Sequence, residues 1–184
     1  MLKRVLSEQF IITGKLDNVS KVDTRLIKNH ILSNFTLDNR IKDDQFWYLH
    51  DYINVPYHQH IQWVYDYIRD HYRAEHGRTL VQIPKDPIKA LVQQTGENIN
   101  THCQINDWNL EGSPEVSCLY CVSTGDKPSH IVFEYDDGRN KHRLWKIPMV
   151  QDQFILFSSS LRHYITKNEN PDFLVNLSYE FQLI

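Results

Sequence analysis

The chain has 184 residues, 41% hydrophobic and 23% charged, with 20 basic against 23 acidic side chains and a formal charge of −3. That is an ordinary globular composition, long enough for one domain with a sizeable core. It supplies no basic field for bulk nucleic-acid binding, and no apolar run approaches a membrane span or signal core, so a cytoplasmic protein without membrane attachment is expected.

In chain order, Gln9–Gly14 predicts a strand ended by glycine. Asp23–Phe35 predicts a helix with Leu26, Ile27, His30, Ile31 and Asn34 at helical spacing and Asp23 as its cap. The aromatic segment 44–56, with Phe46, Trp47, Tyr48 and Tyr52, has two readings, the lining of a ligand mouth and, as the first expectation, the packing of a helical flank onto the barrel. Pro56 then opens the clearest helix, with Ile61, Val64, Tyr65, Ile68 and Tyr72 on one face and His76-Gly77 at its end. His58-Gln59-His60 resembles a metal pair, but residues two apart on a helix diverge, so it reads as that helix's solvated first turn.

From Thr79 the texture becomes β. Strands are expected over 79–84, 89–94, 99–105, 114–122, 130–135, 143–148, 154–157, 163–166 and 174–183, separated by turn-rich segments. The layout is therefore α+β: a helical flank with a short strand over 1–78, and a β-barrel or curled sandwich of about eight strands over 79–184, in a single domain 1–184. Cys118-Leu119-Tyr120-Cys121 has redox spacing, but residues three apart on a strand face opposite ways. All three cysteines, Cys103 included, read as packed core thiols.

His102 and His163 stand 61 positions apart, each at the rim of an expected strand. A β-barrel can bring two such imidazoles onto one metal. His102 and Gln104 share strand parity, so together with His163 they can form a three-donor facial cap, the arrangement of non-haem Fe(II) oxygenases. A histidine pair alone is more often structural in a chain with ten histidines; the flanking pattern carries the metal reading.

That pattern comprises Gly96, His102-Cys103-Gln104, Val116–Tyr120, Ile131-Val132-Phe133, Pro148, Leu156-Phe157-Ser158 to His163, and Leu174–Phe181. In order and spacing over about half the chain it resembles the Fe(II)/2-oxoglutarate-dependent dioxygenase superfamily, nearest its prolyl-hydroxylase-like branch and oxygenases encoded by bacteriophages. The resemblance implies a double-stranded β-helix (a jelly-roll, cupin-like barrel) with the N-terminal helices packed on one sheet. It also implies Fe(II) and 2-oxoglutarate as cofactors, hydroxylase chemistry, and a host-cytoplasm location if the gene is a phage's.

Two departures qualify it. Gln104 stands where the family has a carboxylate ligand, with Asp107 a substitute only if its loop curls back. The family's basic residue on the last strand is missing from Pro171–Val175, leaving Arg143, Lys146 or Arg162 as candidates for the cosubstrate's far carboxylate. Strand parity lets at most one of Arg143 and Lys146 face the barrel. Tyr120 and Ser178 are expected to line the barrel and hydrogen-bond a small acid, and Trp108 to sit in a substrate loop. The alternatives are a catalytically silent barrel serving as a binding or structural module, and a cupin-like metalloprotein that does not use 2-oxoglutarate. The expected partner is a small-molecule or peptide substrate; the sequence leaves the oligomeric state open.

Overall fold

The computed structural model describes residues 9–17, 21–41, 52–83, 88–105, 108–136 and 142–184. In chain order they form β1 (Ile11–Lys15), α1 (Thr24–Ile41), β2 (Tyr52–Asn54), α2 (Gln59–His76), β3 (Leu80–Gln82), β4 (Lys89–Gln93) and β5 (Ile99–His102). There follow β6 (Val116–Ser123), β7 (His130–Asp136), β8 (His142–Pro148), β9 (Gln153–Ser158), β10 (Arg162–Ile165) and β11 (Leu174–Leu183). Each expected strand after Thr79 is present, with small shifts at its ends.

The strands make two antiparallel sheets. One has seven strands in the order β1-β9-β6-β11-β4-β2, with β3 also paired to β11; the other runs β5-β10-β7-β8. Side-chain alternation divides the large sheet into two faces. Val116, Cys118, Tyr120 and Val122 of β6 join Val175, Leu177, Tyr179 and Phe181 of β11 against Ile27 and Ile31 of α1 and Ile61, Val64 and Ile68 of α2. The intervening Leu119 and Cys121 turn the other way, into a second core with Ile131 and Phe133 of β7 and Ile165 of β10. The helices therefore cover one face of the large sheet and the small sheet covers the other. Cys118 and Cys121 fall in different cores, as strand parity requires, and burial pushes the Cys121 thiol up to about 12 and Cys118 higher still. Cys103 departs from expectation: it lies past the end of β5 and is exposed.

Local chemistry sets the helix ends. Asp23 Oδ1 accepts from the Arg25 and Leu26 amides at 2.9 and 3.4 Å, capping α1. Gly77, at φ 68°, closes α2 by donating its amide to Arg73 O. The turn that opens α2 is not simply solvated: His58 Nδ1 accepts from the His60 amide, and His60 Nδ1 accepts from the Asp23 amide at 3.1 Å, tying the starts of both helices together. Tyr179 fastens α2 to the sheet by donating its hydroxyl to Ile61 O at 3.2 Å.

The N-terminal region is more than a flank. β1 pairs with β9 and β2 with β4, so residues before Thr79 supply both outer strands of the large sheet. Gly14 lies within β1 rather than ending it, and a Cβ there would run into the Phe154 ring. Phe46, Trp47 and Tyr48 lie outside the described residues.

Candidate metal centre

β10 sits between β5 and β7, and its register sets His163 opposite His102 on one side and Phe133 on the other. The two imidazole centroids are 4.4 Å apart. His163 is 3% exposed and packs against Phe157 of the facing sheet, with centroids 4.7 Å apart, whereas His102 is half-buried. The expected convergence is present.

Both rings are held in the same way. His102 Nδ1 lies 2.8 Å from Asn100 O, and His163 Nδ1 lies 2.9 Å from Leu161 O. A carbonyl oxygen only accepts, so each Nδ1 carries the hydrogen. In the neutral ring Nε2 then keeps its lone pair. Burial, together with neighbouring His102, lowers the His163 pKa to about 4, so at neutral pH its Nε2 is a free base. Histidine ligands are oriented in this way in metal sites, where the second ring nitrogen donates to a carbonyl or carboxylate.

Gln104 reaches the pair, though not by strand alternation. β5 ends at His102, and Gln104 follows in a turn pinned by its own amide to Ser159 O at 3.0 Å. Its side-chain nitrogen lies 3.2 Å from His102 Nε2 and 3.4 Å from the hydroxyl of Tyr52 on β2. The Tyr52 hydroxyl is in turn 3.4 Å from His102 Nε2. Tyr52 was missed as a site residue because a three-residue strand within an aromatic segment carries no signal that it will join the sheet beside β4. Asp107 lies outside the described residues, and among the described residues no cluster of three or more His, Cys, Asp or Glu side chains could hold a metal ion.

The other expected binding residues scatter. Ser178 is on the inner face of β11, between Asn176 and Glu180. Tyr120 is not: its parity turns it toward the helices, where it is fully buried and donates to Asp152 Oδ1 at 3.1 Å. Arg143 and Lys146 are both exposed on β8, an edge strand, and Arg162 is exposed with Glu134 at 3.7 Å. Trp108 is 98% exposed.

Among the described residues, the cation that does enter the inner face is Lys89 on β4, beside Ser178, and sequence reasoning passed over it. Its Nζ meets Glu180 Oε1 at 3.2 Å, with the two side chains 30% and 10% exposed. Nearby, Asn176 is fully buried, and neither its amide nitrogen nor its oxygen has a partner among the described residues. A cavity of about 380 Å³ bounded by Phe10, Ile105, Leu110 and Ser158 lies apart from the histidine pair, and neither imidazole lines it.

No protein-family model matches the sequence, and no curated protein matches it. Solved structures do. The non-haem alpha-ketoglutarate-dependent carbocyclase SnoK from nogalamycin biosynthesis is similar at a TM-score of 0.64 and 8% identity, over 95% of this chain and 79% of that one. A prolyl-4-hydroxylase from Pseudomonas putida is similar at 0.56 and 10% identity, over 94% and 91% of the two chains. AviO1 from Streptomyces viridochromogenes Tue57 is similar at 0.58 and 12% identity, over 92% and 89%. At these identities the likeness is one of fold.

Proposed function

The chain has the fold shared by Fe(II)/2-oxoglutarate-dependent oxygenases, and from that premise we propose that it is a mononuclear non-haem iron protein of the oxygenase type. We read its facing sheets as a double-stranded β-helix carrying its metal between them. The observation that carries the proposal is the cross-strand imidazole pair with both Nδ1 hydrogens given to carbonyls.

Iron fits the residues present. His102 and His163 would each offer Nε2, and Gln104, with its amide turned, would offer Oε1. Bound there, the ion supplies oxygen activation. The protein's own part is separate from that chemistry. Phe133, Phe157 and the apolar core around them keep water from His163, and the carbonyls of Asn100 and Leu161 hold the rings in one tautomer. The row His102–His163–Phe133–Trp145 runs across the small sheet to its open edge, where Trp145 is 56% exposed. That aromatic edge, with Arg143 two rows further, is where a small-molecule or peptide substrate would rest.

2-Oxoglutarate fits less well. Its far carboxylate needs an inner cation, yet Lys89 already faces Glu180, and Leu174 begins the last strand where a basic residue would be needed. Placing a dianion in a neutral, largely desolvated interior is costly. We therefore derive no step through it. The same two features favour the second reading, a silent module of the same fold.

Anaerobic titration of the full chain with Fe(II) tests the proposal. One iron per chain, lost in His163→Ala while the circular dichroism spectrum is kept, is the expected result. A wild-type chain that takes up no iron leaves the silent module as the function.

A further inference from the structure

We infer that the Tyr52 hydroxyl is the anionic metal donor of this centre, replacing the carboxylate that the ligand set lacks. The inference rests on the iron reading above and adds a residue and a charge to it.

Polar atoms of three residues lie in one small triangle. His102 Nε2 and the Gln104 amide are 3.2 Å apart, and each lies 3.4 Å from Tyr52 Oη. Cis donors bonded at about 2.1 Å to one octahedral ion are separated by about 3 Å, so a shift of a few tenths of an ångström brings all three onto one coordination face. No side-chain rotation is needed beyond the turn of the Gln104 amide. The position is also held. Tyr52 is paired through its backbone to Leu91 on β4, and its ring meets the His102 ring edge-on with centroids 6.2 Å apart.

Hydrogen-bond accounting points the same way. In the neutral tautomer that Asn100 O selects by accepting from Nδ1, His102 Nε2 carries one lone pair. Both the Tyr52 hydroxyl and the Gln104 amide nitrogen approach that single lone pair. Turning the amide sets Gln104 Oε1 beside His102 Nε2 and Tyr52 Oη, so that three electron-rich atoms face one small space. A metal ion satisfies all three. When it binds, the tyrosine O–H bond breaks, an iron–oxygen bond forms and the proton leaves to solvent. Two neutral imidazoles and a neutral amide leave a divalent ion's charge uncompensated, and the phenolate restores the one negative charge that a carboxylate would have brought.

A ferric ion bound by a phenolate has a strong charge-transfer absorption in the visible, with enhanced phenolate vibrations in the resonance Raman spectrum. The full chain is therefore loaded with ferric nitrilotriacetate and desalted, and iron content and spectrum are recorded for wild type, Tyr52→Phe and Gln104→Ala. The expected result is a coloured wild type, a Gln104→Ala variant that keeps the band, and a Tyr52→Phe variant that loses it while circular dichroism shows the same fold. Wild type that binds one iron without the band, or a band that survives in Tyr52→Phe, overturns the phenolate assignment and leaves the iron reading standing. Wild type that takes up no ferric iron overturns the phenolate assignment, and if it also takes up no Fe(II) in the anaerobic titration the iron reading falls with it.

Discussion

Along β11, Val175, Leu177, Tyr179 and Phe181 point at the helices, while Asn176, Ser178 and Glu180 point between the two sheets. The strand is central and buried on both faces, a position that ordinarily reads as a continuous apolar run. The helix side obeys that rule and the inner side breaks it. Local rules are broken at functional sites more than elsewhere, so the contrast separates residues that hold the fold from residues that face a ligand.

The largest effect should come from the side that obeys. Phe181 is fully buried, with the Tyr65 and Tyr179 rings 5.9 and 6.1 Å away. Phe181→Ala should cost about 3–5 kcal/mol in urea unfolding, while iron stoichiometry in the folded protein stays unchanged. If metal is lost in parallel with stability, the two faces are not separable. On the inner side the reverse is expected. His163→Ala should weaken iron binding by more than about 100-fold in competition titration, beyond what an outer partner of a ligand contributes, with a smaller change in stability.

His163 also gives the metal-free protein an acid sensitivity. Its folded pKa is lowered to about 4, mainly by burial, below the ordinary value near 6.5. The folded chain therefore binds fewer protons than the unfolded one between those values. Stability should be complete above about pH 6.5 and fall as the pH drops toward 4, by at most about 3 kcal/mol. His163→Phe should flatten that slope in unfolding curves recorded across the range.

Much of this was legible in the residues. Period-two alternation and turn chemistry located every strand after Thr79, and the parity of Cys118 and Cys121 correctly put the thiols in different cores. The flanking pattern around His102 and His163 anticipated their meeting. What failed depended on register between distant segments. Tyr120 was assigned to the inner face, but parity within β6 fixes only that Tyr120 and Leu119 differ, and the position of the helices decides which one is inside. Lys89 and Tyr52 were overlooked because each matters only through its neighbours on β11 and β5. The strand at β1 was expected but its place in the large sheet was not, and β2 was not foreseen as a strand: a short edge strand has weak periodicity, and each partner is more than 35 residues away.

The inner face can be probed further through its orphaned amide. Asn176 lies between Leu91 and Cys121 in the register, with both amide atoms unpartnered among the described residues. Asn176→Leu keeps the number of side-chain atoms and removes the unsatisfied polar group, so the ligand-free protein should gain about 1–2 kcal/mol in thermal or urea unfolding. A loss of stability would mean that the amide has an internal partner and that the inner face is built as core after all.

The Lys89–Glu180 pair offers the smallest and most specific test of the contrast. Among the described residues the inner face carries the Lys89–Glu180 pair, in which the carboxylate offsets the ammonium that a dicarboxylic ligand would need. Glu180→Gln keeps the shape and the capacity to accept from Lys89 Nζ, but removes the opposing charge. The freed ammonium should then attract a carboxylate from solution, and calorimetric affinity for 2-oxoglutarate should rise about tenfold over wild type, equivalent to about 1.4 kcal/mol. Lys89→Met in the same background should abolish the gain, since no other described basic side chain was found on that face. Wild type that already binds 2-oxoglutarate tightly, with no change in Glu180→Gln, would show that the ligand's far carboxylate is met elsewhere. The inner face of β11 would then owe its polarity to something other than charge balance at Lys89.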